Sequence, residues 1–262
     1  MANTEEMNDA TAVILRPAAE TEAGRFQIRP LAGRHLHGID FIARYHLRNR
    51  MRTYSPAGVA AYWDTVAPHY LELFRDEFES KPYDLAALGD FAARLGSGAR
   101  VCDAGCGPCG HVARILAGHG LEVVGIDISP HCIELARREQ PDLEFRVMDL
   151  AQLDFAAGEL DGLLAYYSLH YQPKASLPAV FAGFARVLRP GGRVLIVVKQ
   201  GDGEGWIEDP LGSGQRIFWC SFQRFELEAL LAGSGLRVAQ SAVRAPLPAE
   251  AAVPRLYVIG ER

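Results

Sequence analysis

A chain of 262 residues, 49% hydrophobic and 23% charged, can bury a sizeable core without disulfide staples and is too apolar for a disordered polymer. Its net charge of −5 argues against a wholly basic nucleic-acid binder, and no apolar run approaches the ~18 residues that a membrane span requires. Five cysteines, an odd number, cannot all pair within the chain, and in a cytoplasmic protein they stay as thiols.

The first 24 residues are acidic and polar apart from a short TAVIL run. They lack the apolar centre of a secretory signal and read as a mobile tail on a cytoplasmic protein. Residues 25–52 hold seven arginines against one acid, Asp40, a local charge of +6 that leaves −11 for the remainder. This arm is expected to dock on its own domain or on a second subunit, in a monomer or a homodimer. RNA is the weaker partner because no RNA-binding module accompanies the arginines.

From position 57 the pattern becomes regular. Apolar residues three and four apart predict helices over 58–78 and 83–95. Then strands and helices alternate: strand 100–103, helix 110–119, strand 122–128, and a helix through 139 that Ser129-Pro130 starts. Strands follow at 143–148 and 161–166. A helix over 177–188 is stopped by Arg189-Pro190-Gly191-Gly192, and a β-branched strand covers 193–199. A helix over 223–233 and strands at 236–243 and 255–260 complete the chain. This alternation predicts a doubly wound, mostly parallel α/β sheet with helices on both faces, whose ligands bind beyond the carboxyl ends of its strands. The last two strands, with no helix between them, are expected to pair antiparallel. Residues 1–55 form an N-terminal extension, 56–98 a helical lid region, and 99–262 the core of one domain spanning 56–262.

The densest chemistry is Val101-Cys102-Asp103-Ala104-Gly105-Cys106-Gly107-Pro108-Cys109-Gly110, a strand running into a glycine turn before a helix. Gly105-x-Gly107-x-x-Gly110 fits the dinucleotide fingerprint, with Asp127 placed for a ribose. Cys102-x3-Cys106-x2-Cys109 has the spacing of an iron–sulfur site, but Cys102 falls on a strand predicted to be buried. The third reading is a nucleoside loop for S-adenosylmethionine (SAM). Asp103, two residues before the first glycine, would repel a pyrophosphate and favour the ammonium and sulfonium charges of SAM. Asp127 ends the next strand, where both its oxygens can accept from ribose hydroxyls. Asp149 follows the strand after that, within reach of an adenine amino group. Acids after three consecutive strands suit a cationic nucleoside better than a diphosphate.

The pieces VCDAGCGPCG, VVGIDIS, FRVMDL, LDGLLAYYSLHY and VLRPGGRVLIVV together resemble the class I SAM-dependent methyltransferases, over about residues 57–262. The late segment resembles small bacterial methyltransferases acting on small molecules. The resemblance implies a seven-stranded sheet in the order 3-2-1-4-5-7-6 with strand 7 antiparallel, an N-terminal helical lid, and SAM as cofactor. It implies that Asp103, Gly105 and Gly107 line the methionine moiety, Asp127 binds the ribose with Ile128 against the adenine, and Met148, Asp149 and Leu150 hold the adenine. Tyr166 would contact the amino end of SAM, and Tyr62 and Tyr70 would close the lid. Cys106 and Cys109 stand where the family more often has small residues.

Methyl transfer from a sulfonium mostly needs positioning and desolvation. A hydroxyl or amine acceptor also benefits from a base, for which His170, just past the fourth strand, is the candidate. His69 on the lid is a weaker one. Tyr167 and Trp206 are candidate substrate contacts, the latter on a glycine-rich segment 201–206 expected to be a mobile loop. No cluster has zinc spacing, so no metal is expected. The function expected is methyl transfer to an oxygen or nitrogen of a small molecule. A nicotinamide-dependent oxidoreductase and a non-catalytic SAM-binding or RNA-associated protein are the alternatives.

Overall fold

The computed structural model describes residues 53–208 and 210–262. The acidic tail and the arginine-rich arm of residues 25–52 lie outside the described residues.

Ser55 opens the described helices. Its hydroxyl accepts from the Gly58 amide, and Pro56 supplies a fixed φ at the first position of α1 (Pro56–Phe74). The helix stops four residues before the predicted end. There the chain tightens into a 3-10 turn, Glu77–Ser80, which turns Phe78 inward against the rings of His111 and Tyr166. Helix α2 (Pro82–Leu95) follows, and then the predicted alternation: β1 (Arg100–Ala104), α3 (His111–Gly118), β2 (Glu122–Asp127), α4 (Pro130–Glu139), β3 (Glu144–Val147), β4 (Leu160–Tyr166), α5 (Leu177–Val187) and β5 (Leu188–Lys199). Helix α6 (Arg224–Gly233) leads to β8 (Arg237–Arg244) and β9 (Arg255–Glu261).

One segment departs from expectation. The glycine-rich stretch after β5 is only in part a loop, because β6 (Glu204–Glu208) begins within it and forms an antiparallel hairpin with β7 (Arg216–Cys220). Alternate residues of this hairpin, Ile207, Ile217 and Trp219, are buried, and that fixes its register.

The main sheet has the order β3-β2-β1-β4-β5-β9-β8. The first five strands are parallel, and β9 runs antiparallel to both β5 and β8. This is the seven-stranded topology expected above. Successive residues of a strand serve opposite faces. Cys102, Leu163 and Ile196 pack on α5 and α6 through Phe181, Phe184 and Leu227, whereas Val101, Leu164 and Leu195 meet α2 and α3 through Leu88, Phe91 and Leu116. Each of these fully buried large side chains contributes roughly 1.5–3 kcal/mol. Among the described residues no helix is long and apolar enough to cross a membrane.

Candidate active site

The carboxyl ends of β1, β2 and β4 open into a cavity of about 870 Å³, counted to its mouth. Its floor is the turn after β1. Gly105 has φ +85°, and a Cβ there would stand 2.3 Å from the Cβ of Ser168, whose hydroxyl donates to the Ala104 carbonyl at 2.6 Å. Only glycine fits. Gly107, at φ +62°, faces open space instead, so the backbone itself is presented to a ligand.

Asp103 is buried at the end of β1, and neither of its oxygens makes a hydrogen bond. Burial and the neighbouring Asp127 charge push its pKa up to about 7, against a weaker opposing pull from the Ala113 amide. Asp127 ends β2. One of its oxygens accepts from the Gly107 amide at 3.1 Å and the other from the Ser129 amide at 2.9 Å. Burial lifts it to about 6, the two amides pull it down, and Asp64 adds a smaller upward push. Asp149 accepts from the Ala151 amide at 2.8 Å, an Asx turn that holds Met148 and Leu150 at the cavity edge.

Ten of the eleven residues proposed for the cofactor line this cavity: Tyr70, Asp103, Gly105, Gly107, Asp127, Ile128, Met148, Asp149, Leu150 and Tyr166. Tyr62 does not. It is buried beside Val66, Leu211 and Ile217 and faces a second cavity instead, because the turn of α1 that carries it looks toward the β6–β7 hairpin. Tyr166 lines the cofactor cavity with its ring but turns its hydroxyl away, donating to Asp84 at 2.5 Å.

The second cavity, about 1200 Å³ counted to its mouth, shares Trp63, Tyr70, Glu77, Tyr167 and Tyr171 with the first. Tyr167 therefore stands at the junction. It is the one non-glycine residue with positive φ, +58°, among those described, a conformation that is strained for an aromatic side chain. Its hydroxyl is buried without a hydrogen-bond partner. Trp206 lines neither cavity, since it lies on β6 with its ring against Phe218 and under the Arg216 guanidinium.

His170 is not placed to act as a base. It is fully buried, its Nδ1 donates to the Cys220 carbonyl at 2.6 Å, and its Nε2 accepts from the Lys199 amide at 2.9 Å. Burial holds it neutral, with a pKa down to about 3 despite the Cys220 carbonyl. Both ring nitrogens are spent on backbone, so His170 ties the end of β5 to β7, and its ring stacks on Trp219 at 4.0 Å.

Three acids escaped the sequence reading. Asp64 on α1 accepts from the Ser129 hydroxyl at 2.6 Å and the His131 amide at 3.1 Å, and so clasps the lid helix to the start of α4. Glu77 lines both cavities. Burial would raise its pKa, but a hydrogen bond from His111 at 2.8 Å and the Lys81 ammonium hold it below the ordinary range. Asp84, fully buried on α2, accepts from Tyr166 and Tyr257 and lies 3.1 Å from Arg244. In the sequence Asp84 looks like an ordinary acid in a first helical turn. The thiols of Cys102, Cys106 and Cys109 are buried in three different apolar clusters, which raises the pKa of each.

Residues 101–192 match a family described as a methyltransferase domain. A stretch of 111 residues is 39% identical to the S-adenosyl-L-methionine-dependent Diels-Alderase iccD of Talaromyces variabilis, covering 39% of this chain and 37% of that one. Another, of 134 residues, is 34% identical to the malonyl-[acyl-carrier protein] O-methyltransferase of Enterobacter lignolyticus, covering 51% and 50%. The chain thus spans half or less of the length of these curated relatives. Among solved structures, it superposes on the 1,6-didemethyltoxoflavin-N1-methyltransferase of Burkholderia thailandensis, solved with 1,6-didemethyltoxoflavin and S-adenosylhomocysteine. The TM-score is 0.62 at 24% identity, over 82% of this chain and 93% of that one.

Proposed function

We propose that this chain carries a class I SAM-dependent methyltransferase domain and transfers the methyl group of SAM to an oxygen or nitrogen of a small-molecule acceptor. The observation that carries this reading is Asp103. A buried carboxylate with both oxygens unpartnered, at the floor of an open glycine cradle, fits an ammonium group and opposes a pyrophosphate. When bound, SAM supplies a methyl group already activated on a sulfonium.

The remaining work falls to the protein. Asp103 holds the cationic amino end of the nucleoside. Each oxygen of Asp127 accepts one backbone amide and retains capacity for a ribose hydroxyl. Met148, Asp149 and Leu150 border the adenine, and Tyr70 and Trp63, from a lid helix fixed by Asp64, restrict water. The acceptor occupies the second cavity and meets the methyl group at Tyr167. Transfer there would release S-adenosylhomocysteine, and with both His170 ring nitrogens committed to backbone the acceptor's proton would pass to solvent. We read the protein as cytoplasmic, as a monomer or homodimer, with the arginine-rich arm as a covering element and not an RNA contact.

Calorimetry with SAM, S-adenosylhomocysteine and NADH side by side tests the cofactor. SAM and S-adenosylhomocysteine should bind and NADH should not. Binding of NADH alone would make the chain a nicotinamide enzyme.

A further inference from the structure

The second cavity has a feature that methyl transfer alone does not require. Lys199 at the end of β5 pairs with Arg255 on β9, and Arg255 pairs in turn with Arg244 on β8. Three cations thus stand in a cross-strand row. Directly opposed like charges destabilise a sheet, so such a row needs negative charge to offset it. Glu250 supplies some, binding Arg244 at 2.8 and 2.9 Å, and Asp84 lies 3.1 Å from Arg244. Asp84 stands at the Arg244 end of the row, and Glu250 reaches from Arg244 to Arg255.

The middle of the row is less satisfied. Arg255 Nε lies 3.5 Å from Glu250 without completing a hydrogen bond, and it is buried. The Tyr167 hydroxyl, also buried and without a hydrogen bond, feels the charges of Asp84, Arg255, Glu250 and Arg244, so it looks toward the same row. Tyr167, Lys199 and Arg255 all line the second cavity. The rest of the wall is aromatic: Trp219 lies under the Lys199 ammonium at 5.1 Å, and Trp63 and Tyr171 meet edge to face at 5.3 Å.

We infer that the second cavity receives a planar aromatic acceptor as its anion, with the negative group held by the Lys199 ammonium and the Tyr167 hydroxyl beside Arg255. The inference rests on the reading of the cleft as a methyl-transfer site and names the substrate class of that site. A flat ring can pack on the wall that Trp63, Tyr171 and Trp219 form, and the anion supplies acceptor atoms that the Tyr167 hydroxyl and Arg255 Nε lack. His170 takes a positioning role here. By accepting the Lys199 amide and stacking on Trp219, it fixes both the stem of the cation and the ring beneath it.

Binding should depend on pH with a definite sign. Burial, Arg255 and Lys81 together hold Lys199 at about 7 against the pull of Glu250 and Glu77. Beside the Arg255 guanidinium, the groups facing it are Glu250, held down to about 2, Glu77, held low by His111 and Lys81, and Tyr167, pushed above its ordinary range. Raising pH past about 7 therefore discharges Lys199 first and weakens anion binding, whereas lowering it restores binding.

The test compares 4-hydroxybenzoate with the matched neutral 4-hydroxybenzamide on the full chain loaded with S-adenosylhomocysteine, by tryptophan fluorescence. The wild-type protein should bind the anion about tenfold tighter or more. Lys199→Met should abolish that preference, and Lys199→Arg should restore part of it. Equal affinity for the two compounds, absence of saturable binding by both, or a preference that survives Lys199→Met would overturn the inference. Calorimetry of S-adenosylhomocysteine on the same samples separates the two readings. Intact cofactor binding with no anion preference defeats only this inference, and absent cofactor binding in the wild-type protein defeats the methyl-transfer reading beneath it.

Discussion

The two cavities meet at Tyr167 and are built in opposite ways. The polar floor of the cofactor cavity comes from positions 103–150, three strand ends and their turns, each close in sequence to the next. The acceptor cavity is assembled from α1, the 3-10 turn, the end of β5, the hairpin and the start of β9, segments up to 193 residues apart between Tyr62 and Arg255. The first is held by backbone geometry, with Gly105 wedged on Ser168 and Asp127 gripping two amides. The second is held by buried side-chain charge, with Asp84, Glu250 and Arg244 at its base. A turn that uses local geometry can bind one cofactor in many contexts, whereas a chamber made of long-range contacts can be changed to suit a new acceptor without disturbing the turn.

The largest expected effect falls on the charge-held side. Asp84→Ala strands the hydroxyls of Tyr166 and Tyr257 and removes one partner of Arg244, so it should cost about 3–5 kcal/mol, roughly 10 °C in Tm. A loss below about 1 kcal/mol, measured by thermal and urea unfolding, would mean that the acceptor side does not depend on this network.

The geometry-held side should respond in binding before stability. Asp127→Ala removes a charged acceptor for two ribose hydroxyls and should weaken SAM by about 1.5–3 kcal/mol, roughly ten- to hundredfold. Unchanged calorimetric affinity in a folded variant would remove Asp127 from the ribose site.

His170 joins the two sides. His170→Gln should cost roughly 1–3 kcal/mol of stability by unsettling the Lys199 amide and the Cys220 carbonyl. It should lower turnover while leaving the shape of the pH–rate profile in place, and loss of one limb of that profile would restore His170 as the base. The smallest effect is reserved for the thiols. Replacing Cys106 and Cys109 together by Ala trims two buried side chains from separate clusters and should leave SAM affinity within a few fold. A brown, oxygen-sensitive protein after anaerobic reconstitution with iron and sulfide would revive the cluster reading.

The same contrast governs what could be read from the sequence. The glycine turn, the acids after three strands and the alternation of elements are local signals, and they carry the family resemblance that implies the strand order and the remaining cofactor candidates. Tyr62, Trp206 and His170 depend on which way a side chain turns after long-range packing. Residue spacing places His170 at the reactive edge of the sheet, but its ring is drawn under β5 and β7 by two backbone bonds that no local pattern encodes. The glycines at the start of the hairpin read as a loop, while its packing depends on Ile217 meeting the lid helix and on Ile207 and Trp219 meeting Tyr171. Lys199 could have been found, since it too ends a parallel strand on the ligand-binding edge.

The central claim is that the buried carboxylate under the glycine turn selects a cationic nucleoside, and Asp103→Asn tests it most directly because shape is kept and only charge is lost. SAM affinity should fall at least about tenfold in the variant. In the wild-type protein it should weaken as pH drops below about 7, where Asp103 takes up a proton. Equal SAM affinity in the wild-type protein and the variant, with no such pH dependence, would contradict the account.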